Sequence, residues 1–108
     1  MRLTFREMSD FERTKGALTD DEMRTMQNEL LRNPEAGDRV SGTSIRKLRV
    51  ALGRRGKRGG GRVIYYYASR ASVIYLMFFY AKNDAPDISP AGKKYLQQVA
   101  EALDRETM

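Results

Sequence analysis

The sequence predicts a single α+β domain, a small and mostly antiparallel β-sheet with helices on one face, in the order β-α-α-β-β-β-α. Three observations predict this class. Apolar runs rich in valine, isoleucine and tyrosine fill the second half of the chain, as strands do. Amphipathic segments with helix-capping residues flank these runs. The 108 residues contain no repeat and no linker, so one domain spans 1–108.

The first part of the chain predicts one strand and two helical segments. "LTFRE" over Leu3–Glu7 favours a short strand, and a short amphipathic turn or helix follows around Asp10–Leu18. The next helix begins at Thr19, because "TDDE" is a capping box in which Thr19 is the N-cap and Glu22 is the third helical residue. This helix ends before Pro34. Its apolar face carries Met23, Met26, Leu30 and Leu31.

Three strands and one helix account for the rest. The runs Ser44–Leu52, Arg62–Ala68 and Val73–Lys82 predict strands, and "SRAS" between the last two predicts a short hairpin connection. The final helix begins at Ser89 as N-cap, with Pro90 in the first helical position. Its apolar stripe consists of Tyr95, Leu96, Val99, Ala100 and Leu103.

Side-chain alternation predicts a cationic sheet surface. The first long strand places Leu48 and Val50 on one face and therefore Lys47 and Arg49 on the other. Each of the next two strands carries a cation with the parity of a tyrosine, namely Arg62 with Tyr66 and Lys82 with Tyr80. If the strands pair in order, three cations converge on one surface of neighbouring strands: Lys47, Arg62 and Lys82.

Charge is concentrated in the middle of the chain. The net charge is +6, but the segment 39–83 has no acidic residue and holds eleven of the twenty Lys and Arg residues. Such a field attracts polyanions, so the sequence predicts a nucleic-acid partner. The densest part is "GRRGKRGGG", whose glycines allow the backbone to approach a phosphate chain. The spacing of a P-loop is absent from it.

Composition excludes several classes of protein. The chain has no cysteine and no histidine, which excludes thiol nucleophiles, disulfides, cysteine-based zinc sites and the usual general base. No apolar run approaches the roughly 20 residues that span a bilayer. The first residues, "MRLTFREMSDFER", are more charged than a signal peptide. We therefore expect a cytoplasmic protein without a membrane partner.

Several short motifs, in order, resemble one family. "NPEAGDRVSGTSIRKLRVALGRRGKRGGGRVIYYY" followed by "IYLMFFYAKND" is similar to the RelE/HigB superfamily of bacterial type II toxins, and most similar to its HigB-like branch. The branch pattern runs roughly N-P-x-x-G-D, G-T-G-G-[LI]-R-K-[LV]-R, G-K-x-G-G-x-R-V-[IV]-Y-Y and Y-x-K. The sequence departs from it at "GTSI", and at Gly61, where the family has an aromatic residue that would offer a stacking contact.

The resemblance implies a RelE-like fold and a ribosome-dependent endoribonuclease, called an mRNA interferase. Such toxins enter the ribosomal A site and cut the messenger without a metal or cofactor. The implied partners are the ribosome, mRNA and a cognate antitoxin with a helix-turn-helix DNA-binding domain, while the free toxin is expected to be a monomer.

The chain has no histidine, and its central segment has none of the convergent carboxylates that a metal mechanism needs. The remaining route is attack by the RNA's own 2′-hydroxyl on the adjacent phosphate. A lysine can serve as the base if neighbouring cations lower its pKa, and an arginine fork fits two phosphate oxygens. By position in the motifs, Lys47 is the predicted base, Arg62 the clamp on developing charge and Lys82 the acid or second stabiliser. Lys57 is a further phosphate ligand or proton-transfer group. The predicted RNA-binding residues are Arg46, Arg49, Arg54, Arg55, Arg58, Tyr66 and Tyr80.

Two other functions stay open at this point. A ParE-like toxin would share the fold and inhibit DNA gyrase without cutting RNA. A non-catalytic RNA-binding or ribosome-binding protein would use the same positive charge for affinity alone.

Overall fold

The computed structural model describes residues 2–53, 60–81 and 88–106. Five strands and three α-helices lie within these ranges. They are β1 (Thr4–Glu7), α1 (Ser9–Thr14), α2 (Asp20–Arg32), β2 (Asp38–Arg39), β3 (Arg46–Val50), β4 (Gly61–Ala68), β5 (Val73–Ala81) and α3 (Pro90–Glu106). A short 3₁₀ turn, Lys15–Ala17, follows α1.

The strands form one mixed sheet in the order β1-β5-β4-β3-β2. β1 pairs with β5 in parallel, and the other neighbours are antiparallel. The predicted α+β class is confirmed, and the predicted elements occur in the predicted order with one added strand, β2. The two-residue strand β2 was not predicted, because two residues carry no readable alternation.

Helices cover both faces of the sheet, whereas the sequence predicted helices on one face. Phe11 of α1 and Met26 and Leu30 of α2 pack in one buried cluster with Val63. Leu96, Ala100 and Leu103 of α3 pack on the other face, in a second cluster that contains Ile64. The physical reason is that β4 and β5 are buried along nearly their whole length, so each of their faces needs an apolar cover.

Two residues of the predicted apolar stripes lie at the surface. Leu31 of α2 is 45% exposed and Tyr95 of α3 is 54% exposed. Both lie on helices that bury other apolar residues, such as Leu30 and Leu96. The helix period places a residue near a face, but the width of the contact decides which residues at its margin are covered.

The carboxylate of Glu22 joins the start of α2 to the end of β3. One of its oxygens accepts the N–H of Thr19 at 2.9 Å, while Thr19 Oγ1 accepts the N–H of Glu22 at 3.1 Å, which confirms the capping box. The other oxygen accepts the N–H of Gly53 at 2.7 Å. Hydrogen bonds from Thr19 and then Gly53 hold the pKa of Glu22 below its usual range.

Replacing Glu22 with glutamine is expected to make the free energy of unfolding depend less on pH in the acidic range. The pKa of Glu22 is lower in the folded protein, so its stabilisation is present above the unfolded pKa of about 4.3 and is lost as pH falls through the folded pKa. Urea unfolding midpoints measured from neutral to acidic pH should therefore fall less steeply in Glu22→Gln than in the wild type. The control is Asp21→Asn, whose carboxylate is 94% exposed. Parallel profiles for Glu22→Gln and the wild type would contradict the prediction.

Tyr65 of β4 and Arg46 of β3 fix the segment that follows α2. The hydroxyl of Tyr65 donates to the carbonyl of Pro34 at 2.8 Å and accepts the N–H of Gly37 at 3.0 Å. The guanidinium of Arg46 donates to the carbonyl of Gly37 at 2.8 Å and to the carboxylate of Glu35 at 3.2 Å. A Cβ on Gly37 would lie 2.8 Å from the Tyr65 ring, so only glycine allows this approach.

Replacing Tyr65 with phenylalanine is expected to destabilise the protein by about 1–3 kcal/mol, because the buried N–H of Gly37 loses its acceptor. Chemical denaturation measures the change. Tyr95→Phe, which removes the hydroxyl of a half-exposed side chain, serves as control and should stay close to the wild type. Equal stability of the two variants would show that the Tyr65 hydroxyl is dispensable.

Candidate active site

Arg49, Arg62 and Tyr80 form one row across three neighbouring strands. Arg49 of β3 lies directly opposite Arg62 of β4, and Arg62 lies directly opposite Tyr80 of β5. Opposite residues in antiparallel strands share a face and have Cβ atoms roughly 5 Å apart. Lys47 is two residues before Arg49 and opposite Ile64, so it shares this face and is the diagonal neighbour of Arg62. The structure thus brings together Lys47, Arg49, Arg62 and Tyr80.

Arg62 occupies the centre of this row in a buried position. Its side chain is 9% exposed, and Nη1 donates to the carbonyl of Gly61 at 3.1 Å. Burial and this contact restrict the orientations that the guanidinium can adopt. Lys47 beside it is half-buried and Arg49 is exposed, so the positive charge extends from the sheet towards solvent.

Tyr80 is also buried, with 6% of its surface exposed. Its ring lies 6.2 Å from that of Phe78 at a tilt of 39°. β5 contains a β-bulge, since its register with β4 shifts between the pairs Ile64–Phe78 and Tyr65–Leu76. The extra residue is Met77, so that Met77 and Phe78 both pack on the α3 face, whereas Leu76 packs on the opposite face.

Tyr66 has the predicted parity but lies beneath α3. It is 8% exposed and stacks on Tyr75, with centroids 6.4 Å apart. Its hydroxyl donates to Asp104 of α3 at 2.8 Å. Burial, and then the bond to Asp104, raise the pKa of Tyr66 to about 12. The structure therefore gives Tyr66 a packing role, and a base could stack on it only if α3 moved.

Arg46 lies on the opposite face from Lys47. It pairs with Arg39 of β2 and with Tyr65 of β4, and its guanidinium is engaged by Glu35 and Gly37. The structure does not bring it to the Arg62 row. The other predicted site residues lie outside the described residues: Arg54, Arg55, Lys57, Arg58 and Lys82.

Gly61 replaces the family's aromatic residue, and its environment explains the difference. It pairs with Val50, so a side chain there would point to the face covered by α1 and α2, away from Arg62. A Cβ on Gly61 would lie 2.5 Å from the ring of Phe79. Phe79 thus fills the space that an aromatic residue at 61 would need.

Asp38 is a candidate that the sequence reasoning missed. It lies directly opposite Lys47 in the β2–β3 pair and therefore shares its face. An ionised carboxylate accepts protons and hydrogen bonds, so Asp38 adds an acceptor beside the predicted base. Asp38 immediately precedes the acid-free segment 39–83, so charge patterning alone did not associate it with the cations. The available signal was the aspartate of the N-P-x-x-G-D motif.

The five-stranded mixed sheet with three helices in the described residues matches an α+β, RelE-like fold. The family model described as the RelE toxin of the RelE/RelB toxin–antitoxin system matches residues 4–107. The chain therefore belongs to the RelE toxin family, as the resemblance predicted. It is a toxin of a toxin–antitoxin system, and an antitoxin is its partner. None of the helices in the described ranges is long and apolar enough to cross a membrane.

Proposed function

We propose that this toxin is a ribosome-dependent endoribonuclease of the HigB-like branch that cuts mRNA in the A site. The observation that carries the proposal is the row of Arg49, Arg62 and Tyr80, with Lys47 on the same face. A phosphodiester and an adjacent base need such a combination of fixed cations and an aromatic ring. Ribosome and messenger are both polyanions, which suits the acid-free segment 39–83.

The proposed reaction is transesterification within the RNA. The 2′-oxygen attacks the adjacent phosphorus, the bond to the 5′-oxygen breaks, and the products carry a 2′,3′-cyclic phosphate and a 5′-hydroxyl. Lys47 accepts the proton of the 2′-hydroxyl, and Lys82 or Lys57 returns a proton to the leaving oxygen. Asp38, opposite Lys47, is a second acceptor for the first proton. Side chains alone perform this step, without a metal or cofactor.

Electrostatics support Arg62 as the group that stabilises the phosphorane. Arg49 and Arg62 lie directly opposite each other on neighbouring strands, so one phosphate can contact both guanidinium groups. A buried guanidinium is partly desolvated, so its interaction with developing negative charge is stronger than in water. Its fork can reach two phosphate oxygens at once.

The remaining parts of the proposal concern partners. The antitoxin carries a helix-turn-helix domain, and the free toxin is a monomer that acts in the cytoplasm, where ribosomes are. The ParE-like and non-catalytic alternatives predict no RNA cleavage. The grouping of Lys47, Arg49 and Arg62 on one face favours the enzyme over both.

Mapping of messenger 5′ ends tests the proposal. Purified toxin is incubated with translating ribosomes, with the same messenger free of ribosomes, and with ribosomes plus antitoxin. We expect cuts within A-site codons in the first sample alone. Arrest of DNA gyrase without RNA cleavage would support the ParE-like alternative instead, and ribosome binding without either effect would support the non-catalytic one.

A further inference from the structure

The outer edge of β3 is only partly covered by its neighbour. β2 pairs with β3 no further than Lys47, and no other strand in the described ranges pairs with β3 on this side. The N–H of Val40 donates to the carbonyl of Ile45 at 3.0 Å, so the backbone of Ile45 faces β2. Backbone groups alternate between the two sides of a strand, so those of Lys47, Arg49 and Ala51 face the same way. Beyond β2, the N–H and C=O groups of Arg49 and Ala51 therefore form an open edge.

A groove runs between this edge and α2. Two cavities of about 290 and 250 Å³ lie along it, and both are lined by Glu29 of α2 and Arg49 of β3. At one end the N–H of Gly53 donates to Glu22 of α2 at 2.7 Å, so the toxin itself satisfies the next outward-facing amide. The space is termed the edge groove, and its wall includes Glu22, Glu29, Arg49, Ala51 and Gly53.

The two sides of the edge groove carry opposite charge. α2 contributes Asp21, Glu22 and Glu29, and no lysine or arginine of α2 is among the described residues that line it. Lys47 and Arg49 lie on the other face of β3, as members of the cationic row. A strand that continued the sheet would alternate its side chains between these two faces. Basic side chains towards α2 and acidic side chains towards the cations would complement both.

We propose that an extended segment of the antitoxin adds to the sheet at this edge and hydrogen-bonds to the backbone of Arg49 and Ala51. Open strand edges bind extended peptides through main-chain hydrogen bonds, and alternate side chains give specificity. The segment directs basic side chains to α2 and acidic ones to the cationic row, where they compete with a phosphate for Arg49. The inference goes beyond the proposed function and rests on family membership, which supplies the antitoxin.

Other occupants fit the edge groove less well. RNA lacks the alternating N–H and C=O groups that pair with a strand edge. A second copy of the toxin, paired antiparallel about Val50, would make the two Arg49 side chains diagonal neighbours, and like charges on neighbouring strands repel. β1 is the other edge strand of the sheet, but β5 and β4 separate it from the cations of β3. The antitoxin is the polypeptide partner that can supply the complementary charges.

Amide hydrogen exchange, measured by nuclear magnetic resonance with and without the purified cognate antitoxin, tests the pairing. In the free toxin the amides of Arg49 and Ala51 should exchange fast, whereas those of Leu48 and Val50 face β4 and should be protected in both samples. In the complex, the amides of Arg49 and Ala51 should exchange slower by about tenfold or more. Unchanged exchange at both residues would overturn the inference.

The outer edge of β1 supplies a matched control. The N–H of Met8 donates to the carbonyl of Leu76 in β5 at 2.9 Å, so the backbones of Phe5 and Glu7 face away from β5. Their amides should exchange at the same rate in both samples. Protection of these two amides in place of the two β3 amides would contradict the inference. So would protection of the β3 amides in the free toxin that rises with toxin concentration, which would assign the edge to a second copy.

Ala51→Pro removes one edge N–H that makes no bond within the described sheet. Proline is tolerated where a strand N–H faces outwards, and Ala51 is exposed, so the variant should fold. Ala51→Ser keeps the N–H and is the control. Calorimetric titration with antitoxin should show binding weaker by about tenfold for Ala51→Pro alone. Wild-type affinity in a variant whose thermal unfolding is also unchanged would remove this hydrogen bond from the interface and overturn the inference.

Thr25→Lys tests the charge pattern. Thr25 is exposed on α2 and lines the edge groove, so a cation there repels basic side chains of the added strand. Antitoxin binding should weaken by about two- to fivefold, whereas the uncharged Thr25→Gln should bind like the wild type. Equal or tighter binding by Thr25→Lys would contradict the proposed orientation. None of these measurements uses RNA cleavage, so they decide this inference even if the toxin proves to cleave no messenger.

Discussion

Replacing Arg62 with alanine is expected to reduce messenger cleavage by about 10²–10³-fold, the loss typical of removing one preorganised charge-stabilising donor. The change removes the guanidinium group that lies opposite Arg49 and Tyr80 on the neighbouring strands. The rate of cleavage on translating ribosomes measures the effect. Arg70→Ala is the matched control, because Arg70 carries the same charge in the exposed turn between β4 and β5. It should cleave at the wild-type rate.

Arg62 is buried, so a loss of activity must be separated from a loss of folding. Arg62→Lys keeps the charge but not the planar fork that reaches two phosphate oxygens. We expect this variant to unfold at a temperature close to that of the wild type and still to lose most of its cleavage. Wild-type cleavage by folded Arg62→Ala would remove Arg62 from the mechanism.

Restoring the family's aromatic residue with Gly61→Tyr is expected to destabilise the toxin by about 1–3 kcal/mol or more, the usual cost of overpacking a core. The new Cβ would lie 2.5 Å from the Phe79 ring and 3.1 Å from the backbone oxygen of Tyr80. Gly61→Ala should also destabilise the toxin, but by a smaller amount. Gly16→Ala is the control, because nothing lies within 4 Å of a Cβ there. Chemical denaturation measures all three.

The Phe79 ring is the expected cause of the clash, and a double variant tests this. Phe79→Ala removes the ring, so Gly61→Tyr combined with Phe79→Ala should be more stable than the sum of the two single changes predicts. Strict additivity would show that another contact excludes the side chain. The ring of Gly61→Tyr would lie on the face opposite Arg62, so we expect no gain in cleavage per folded molecule.

Much of the fold could be predicted because its signals are local. The capping box determines the start of α2 through contacts between Thr19 and Glu22, which are only three residues apart. Alternation along β3 and β4 assigned Lys47 and Arg62 to one face, and the β3–β4 register places them there. The order of the short motifs was not needed to predict these elements, but it indicated the family whose model matches residues 4–107.

Part of the site could not be predicted, because it depends on which elements cover each face. Tyr66 and Tyr80 have the same parity and both are buried in the cluster that α3 covers, but Asp104 binds the hydroxyl of Tyr66 whereas Tyr80 lies opposite Arg62. Arg46 is one residue from Lys47, but strand geometry turns it to the other face, where it fixes the segment after α2. The pairing of Asp38 with Lys47 depends on a strand of two residues.

The sequence by itself determined the α+β class, the basic centre of the chain and the face on which Lys47 and Arg62 lie, because capping, charge and alternation act between near neighbours. Only the tertiary structure decided that helices cover both faces and that the Phe79 ring occupies the space beside Gly61. These features depend on contacts between residues far apart in the chain, whose register and packing no local pattern specifies.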